Sequence, residues 1–252
     1  MFFLPWHLSD SLSAGLNVAL PPRTIQLGGE PDTTGDPWRD LIGVYAPLAD
    51  AVAQDEARPT VVISGDCMAS LAVLAGVQRR GVQPSLVWFD AHGDFHTEAS
   101  TTSGYLGGLP LAKAVGRGNL TLPAALGLTS LSDESVTLVD GRDLDPAEAA
   151  ALAASRVRRV AVGELDATRL PEGPMVVHVD VDTVDPSELA GLRFPSPDGP
   201  TLRQVADALG KLVGKRPLAA LDIGATWRPG DTIRAQTDAV LSALLSSIGL
   251  RY

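Results

Sequence analysis

The sequence predicts an α/β fold, a doubly wound and mainly parallel sheet with helices on both faces. Short apolar, β-branched runs alternate in chain order with longer segments of helical spacing, which is the pattern of strand and crossover helix. The runs are too uniformly apolar for strands with one wet face, so both faces are expected to be covered. A third observation sets the scale: 252 residues, 45% hydrophobic, can bury one sizeable core, and no linker or low-complexity tract divides them. One domain over residues 1–252 is therefore expected.

In chain order the first clear strand is TVVIS (60–64), and the good helix formers of MASLAVLAGVQRR (68–80) follow it. SLVWFD (85–90) is the next strand, with helical PLAKAVG (110–116) after it. SVTLV (135–139) precedes PAEAAALAAS (146–155), whose Pro146 suits a first helical turn. Strands VRRVAV (157–162) and MVVHVDV (175–181) lead to the helix LRQVADALGKLVG (202–214), then to strand PLAALDI (217–223). The last segment, DAVLSALLSSIGL (238–250), carries an apolar stripe at Val240, Leu241, Leu244, Leu245 and Ile248 that can pack on the chain's own sheet or on a neighbouring copy, the first being the expectation. GKRP (214–217) and PSPDGPT (195–201) punctuate the joints.

The net charge of −10 and pI near 4.8 repel phosphate backbones and anionic lipid, which argues against nucleic acid or a membrane surface as partner. The opening MFFLPWHLSD has no basic stretch before its few apolar residues, so it does not read as a secretory signal. No later run approaches the roughly 18–20 apolar residues that span a bilayer. A single cysteine, Cys67, precludes an internal disulfide and fits a reducing cytoplasm.

Chemistry concentrates in WFDAHGDFHT (88–97), where Asp90, His92, Asp94 and His96 occupy alternate positions and, in an extended strand, share one face. HVDVDTVDP (178–186) repeats the device with His178, Asp180 and Asp182. Both follow apolar runs, at the carboxyl ends of strands where α/β sheets bind ligands. So many carboxylates on one rim need cations to offset them. Oxygen donors with one or two imidazoles suit Mn²⁺ best, with Fe²⁺, Co²⁺ and Zn²⁺ as competitors.

DAHGDFHTEASTTSG resembles the central motif of the arginase and agmatinase (ureohydrolase) superfamily, and SGDCMAS and HVDVDTVDP resemble its flanking motifs in order. The resemblance covers about residues 60–248, and the first 55 residues match loosely. It implies an arginase-like three-layer αβα sandwich and two Mn²⁺ ions with a bridging hydroxide that attacks the carbon of a guanidino or amidino compound, such as arginine, agmatine or Nω-hydroxyarginine. Asp90 and Asp180 would bridge the ions, His92 and Asp182 would complete one site, and Asp94 and residue 67 the other. A homo-oligomer is also implied.

Five positions depart from that pattern. Cys67 stands where the family has a histidine ligand: either its thiolate binds, favouring Zn²⁺ or Fe²⁺ there, or it binds nothing and one metal remains. Gly107 replaces a proton-carrying histidine, Ala225 an acidic residue that orients the guanidinium, and Phe194 a threonine. GRDLDPAE (141–148) resembles the segment that holds a substrate α-amino group, implying Asp145 and Glu148, although Asp145 and Glu148 also read as a helix cap and its capping-box partner. Ser103 matches a contact to the α-carboxylate, and His96 replaces an asparagine beside it. His96 and His178 are candidates for the missing proton shuttle, or for donors that orient a ligand carboxylate; His7 reads as structural or exposed. Besides a hydrolase, the departures admit an impaired homologue with a metal-binding or structural role. A one-metal deacylase is disfavoured because the paired histidines of that class are absent.

Overall fold

The structure is a computed structural model that describes residues 1–12, 20–228 and 234–250. It opens with β1 (Phe2–Leu4), a small hairpin of β2 (Trp6–His7) and β3 (Asp10–Ser11), then β4 (Ile25–Gln26), α1 (Pro37–Asp40) and α2 (Ile42–Gln54). The alternating part follows: β5 (Thr60–Ser64), α3 (Ala69–Arg79), β6 (Ser85–Asp90), α4 (Pro110–Ala114), α5 (Thr121–Leu126), β7 (Val136–Asp140), α6 (Pro146–Ala153) and β8 (Arg158–Val160). β9 (Met175–Asp180), α7 (Leu202–Val213), β10 (Leu218–Gly224) and α8 (Arg234–Ser247) complete the described chain.

Among the described residues eight strands form one sheet in the order β4-β1-β5-β10-β9-β6-β7-β8, and every pairing seen in it is parallel. The doubly wound αβα arrangement expected from the alternation is present. Strand residues divide between two cores with the period of two that a pleated strand imposes. In β6, Leu86 and Trp88 join the core under α2 and α3, whereas Val87 and Phe89 join the one under α7 and α8. β5, β6, β9 and β10 are buried along their whole length, which is why they read as unbroken apolar runs.

α3 is buried from Ala69 to Val77 because small residues let it sit between the sheet and α2. α7 starts at a capping box in which Thr201 and Gln204 exchange bonds with each other's backbone, and it turns Val205, Leu209 and Leu212 inward. α8 buries Val240, Leu241, Leu244 and Leu245 in the same core, so the terminal stripe is used within the chain. Among the described residues no helix is long and apolar enough to cross a membrane.

Several boundaries move. The strand expected at 157–162 is only Arg158–Val160, and the helix expected at 110–116 ends at Ala114. The strand expected to run through Val181 stops at Asp180, where a 3-10 turn, Val181–Thr183, takes over. β1 and β4 add two parallel strands at one edge that two- and three-residue runs could not announce.

Candidate metal centre

The row Asp90 to His96 is not an extended strand. β6 ends at Asp90, and Asp90 Oδ1 accepts the N–H of His92, 2.7 Å away, which turns the chain at once. β9 ends the same way: Asp180 Oδ1 accepts the N–H of Asp182 at 2.9 Å. An aspartate that bonds the backbone two residues on makes an Asx turn, so both Asp-x-X spacings are turn signatures at strand ends. Each turn folds the second residue back beside the first. Side chains predicted to share a face of a strand therefore meet, but around two turns. Asp94 sits in the left-handed region at φ 50°, which aspartate tolerates.

Among the described residues two groups of donors result, each with its ligand atoms within 4.8 Å of one another. One comprises Asp90, His92 and Asp182; the other comprises Cys67, Asp90, His178 and Asp180, and Asp90 is common to both. Cys67 comes from the turn between β5 and α3, and its Sγ donates to Asp180 Oδ2 at 2.8 Å. His92 Nδ1 lies 3.2 Å from Asp90 Oδ1 and 3.3 Å from Asp182 Oδ2. Trp88 Nε1 donates to Asp90 Oδ2, and Thr226 Oγ1 donates to Asp180 Oδ1. Asp94 is buried and lines the same cleft, yet it stands in neither close group, and its Oδ2 has no partner.

The electrostatics are those of crowded anions. Burial, then the neighbouring carboxylates, hold Asp180 and Asp94 well above the usual range, and Asp182 rises to about 7 for the same reasons. Burial and Asp180 push the Cys67 thiol up. Burial opposes a charge on His92, but the bonds from Asp182 and Asp90 outweigh it and lift the imidazole to about 12. These groups hold protons where cations would relieve them, and orphaned donor atoms at Asp94 and His178 have room for a bond. The residues present therefore suit divalent metal ions.

The remaining predicted residues are placed as follows. His96 Nε2 donates to Asp145 Oδ2 at 3.1 Å and its Nδ1 pairs with Ser100 Oγ. Asp145 begins α6 but makes no side-chain cap bond, and Glu148 accepts from Phe95 N at 2.7 Å instead of closing a capping box. Ser103 is exposed at the rim and accepts from Tyr105 N. His178 is fully buried beneath the cleft, one pleat below Asp180, with Nδ1 2.9 Å from Asp222 Oδ2 and 2.8 Å from Ser70 Oγ. All of the predicted residues except His178 line a cleft of about 370 Å³.

Two departures acquire an explanation. A side chain at Gly107 would overlap the ring and hydroxyl of Tyr105, so Tyr105 fills the place a larger residue would take. Its hydroxyl lies 3.0 Å from Nε2 of buried His7, whose Nδ1 donates to Gly65 O. Phe194, 37% exposed, stands edge-on to His92 and against Tyr105 at the mouth of the cleft. Ala225 is buried and apolar. Tyr105, His7, Asp222, Ser70 and Thr226 were not singled out as site residues from sequence. Of these only Asp222 carries a signal, a carboxylate inside an otherwise apolar strand.

A family model described as the arginase family matches residues 26–249. The N(omega)-hydroxy-L-arginine amidinohydrolase of Streptomyces lavendulae is 29% identical over 202 residues, 78% of this chain and 70% of that protein. The arginase of Bacillus caldovelox is 31% identical over 173 residues, 62% of this chain and 58% of its own length. Among solved structures, Entamoeba histolytica arginase in complex with L-ornithine superposes with a TM-score of 0.79 at 20% identity, over 98% of this chain and 96% of that one. The native structure of the Bacillus caldovelox enzyme gives 0.75 at 25% identity, over 89% and 84%.

Proposed function

Because this chain belongs to the arginase family of hydrolases, we propose that it is a two-metal hydrolase that cleaves a C–N bond in a small guanidino or amidino compound, with Nω-hydroxyarginine, arginine and agmatine as the candidate substrates. The observation that carries the reading is the pair of donor groups sharing Asp90 on the floor of one cleft. Divalent cations held by these residues would acidify a water for attack on a trigonal guanidinium carbon.

Asp90, His92 and Asp182 would hold one ion; Asp90, Asp180, Asp94 and Cys67 would surround the other. Mn²⁺ suits the oxygen-rich pair, and Cys67 shifts its own side toward Zn²⁺ or Fe²⁺. The His96–Asp145 pair offers a negative rim to a substrate ammonium, with Ser103 nearby for a carboxylate. Glu148 holds Phe95 N and so fixes the backbone that carries Asp94 and His96. Tyr105 presents a hydroxyl over Gly107 that can pass a proton to the departing amine, with His7 as its hydrogen-bond partner. Phe194 narrows the mouth and limits water. Self-association of the chain belongs to the same reading.

The test is hydrolysis of the three candidates by Mn²⁺-reconstituted protein, scored as urea, or as hydroxyurea from Nω-hydroxyarginine. Turnover of one of them supports the reading. No turnover of any, with two ions bound, favours the second reading: a homologue that retains the metal site without amidino hydrolysis, for which buried, apolar Ala225 speaks.

A further inference from the structure

We propose that His178 is itself a metal ligand, supplying from β9 the imidazole that residue 67 does not. The inference rests on the two-metal reading and names the donor set of one of its sites. His178 is 0% exposed, and of its two nitrogens only Nδ1 is partnered. Nδ1 donates to Asp222, the residue level with it on β10, and Ser70 from α3 bonds the same carboxylate. Nε2 is buried with no partner at all.

A buried ring nitrogen left unmatched is costly unless something absent from the protein binds there. The candidate partner is set by what surrounds it: Cys67 Sγ and the carboxylates of Asp90 and Asp180, whose ligand atoms lie within 4.8 Å of one another and of His178. An imidazole whose other N–H is tied to a carboxylate is the arrangement that orients a histidine toward a metal and fixes its tautomer. Asp222 gives His178 that arrangement; Cys67 needs no such partner.

The ring also has room reserved for it. A Cβ at Gly224 would stand 3.1 Å from His178 Cε1 and 3.5 Å from Nε2, so glycine there keeps the space open. Trp88 covers the ring at a centroid distance of 4.0 Å. One thiolate, one imidazole and two carboxylates form a softer set than Asp90, His92 and Asp182. The two sites are therefore unequal: the His178 site takes Zn²⁺ or Fe²⁺ in preference to Mn²⁺.

The test uses full-length protein loaded with Zn²⁺, elemental analysis for stoichiometry and X-ray absorption at the zinc edge for donor type. Two ions per chain, with one sulfur and two imidazoles between them, are expected. His178→Gln should then hold one ion and lose the sulfur signal, while Cys67→Ser should lose the sulfur but keep both imidazoles at reduced occupancy. A His178→Gln protein with two ions and an undiminished sulfur signal overturns the assignment and leaves the hydrolase reading standing. Should that variant not fold, the wild-type imidazole count decides, since a single imidazole leaves His92 alone. A wild type that binds neither Zn²⁺ nor Mn²⁺ defeats both proposals together.

Discussion

Asp90 and Asp180 each use one carboxylate twice. One oxygen closes the turn that ends a strand; the other is held by a neighbour, Trp88 Nε1 for Asp90 and Cys67 Sγ for Asp180. Replacing Asp180 by Asn swaps one acceptor oxygen for a donor and removes a charge that any cation there would use. Asp180→Asn should abolish tightly held metal and the rise in Tm on metal addition, because binding is linked to folding; unchanged metal content by elemental analysis would contradict the ligand assignment. Tyr105→Phe removes the hydroxyl over Gly107 without emptying its space. Its kcat should fall by about 10²-fold with KM little changed, and steady-state kinetics on the best substrate will check it. The residue types of the site were legible in the sequence because Asp-x-His and Asp-x-Asp at strand ends are rare and chemically loud. Tyr105 and His7 were not, since they meet across 98 positions and no spacing announces such a contact.

At the scale of elements, α6 shows how one start signal serves two readings. Asp145-Pro146 does begin a helix, yet Asp145 spends its carboxylate on His96 and Glu148 spends its own on Phe95 N. Asp145→Ala should therefore change stability by no more than about 0.5 kcal/mol, as for an exposed side chain, while raising KM; thermal unfolding and kinetics separate the two. α8 behaves oppositely, as pure packing. Leu245 is fully buried, so Leu245→Ala should cost about 2–5 kcal/mol in a chemical denaturation curve. Long, doubly buried strands and amphipathic helices could be read because burial imposes a period on them. β1, β4 and the abrupt ends of β6 and β9 could not, because there tertiary contacts and single side-chain bonds decide.

For the molecule as a whole, the crowded acids set the response to pH. Asp182, at about 7, and Asp180 and Asp94, well above the ordinary range, bind protons more tightly folded than unfolded. A raised folded value gives stability that is present at low pH and lost as pH rises through it. Metal-stripped protein should thus lose Tm from roughly pH 5 to 8, and Mn²⁺-loaded protein should lose less, because cations replace the protons. A stripped protein whose Tm rises over that window would contradict this. Asp185, lowered to about 2 by its bonds to Ser187 and Gly199, has the opposite sign, but its effect is spent below about pH 4 and does not interfere. The sheet order carries a consequence of another kind. β10, the last described strand in chain order, lies in the middle of the sheet between β5 and β9. During synthesis the two halves of the sheet have no common strand until residue 224 has left the ribosome, and until then two apolar edges wait unpaired. Closure of the sheet thus waits for its last described strand, and a ribosome stalled before β10 would present an aggregation-prone chain in which the β5 and β9 edges are both open.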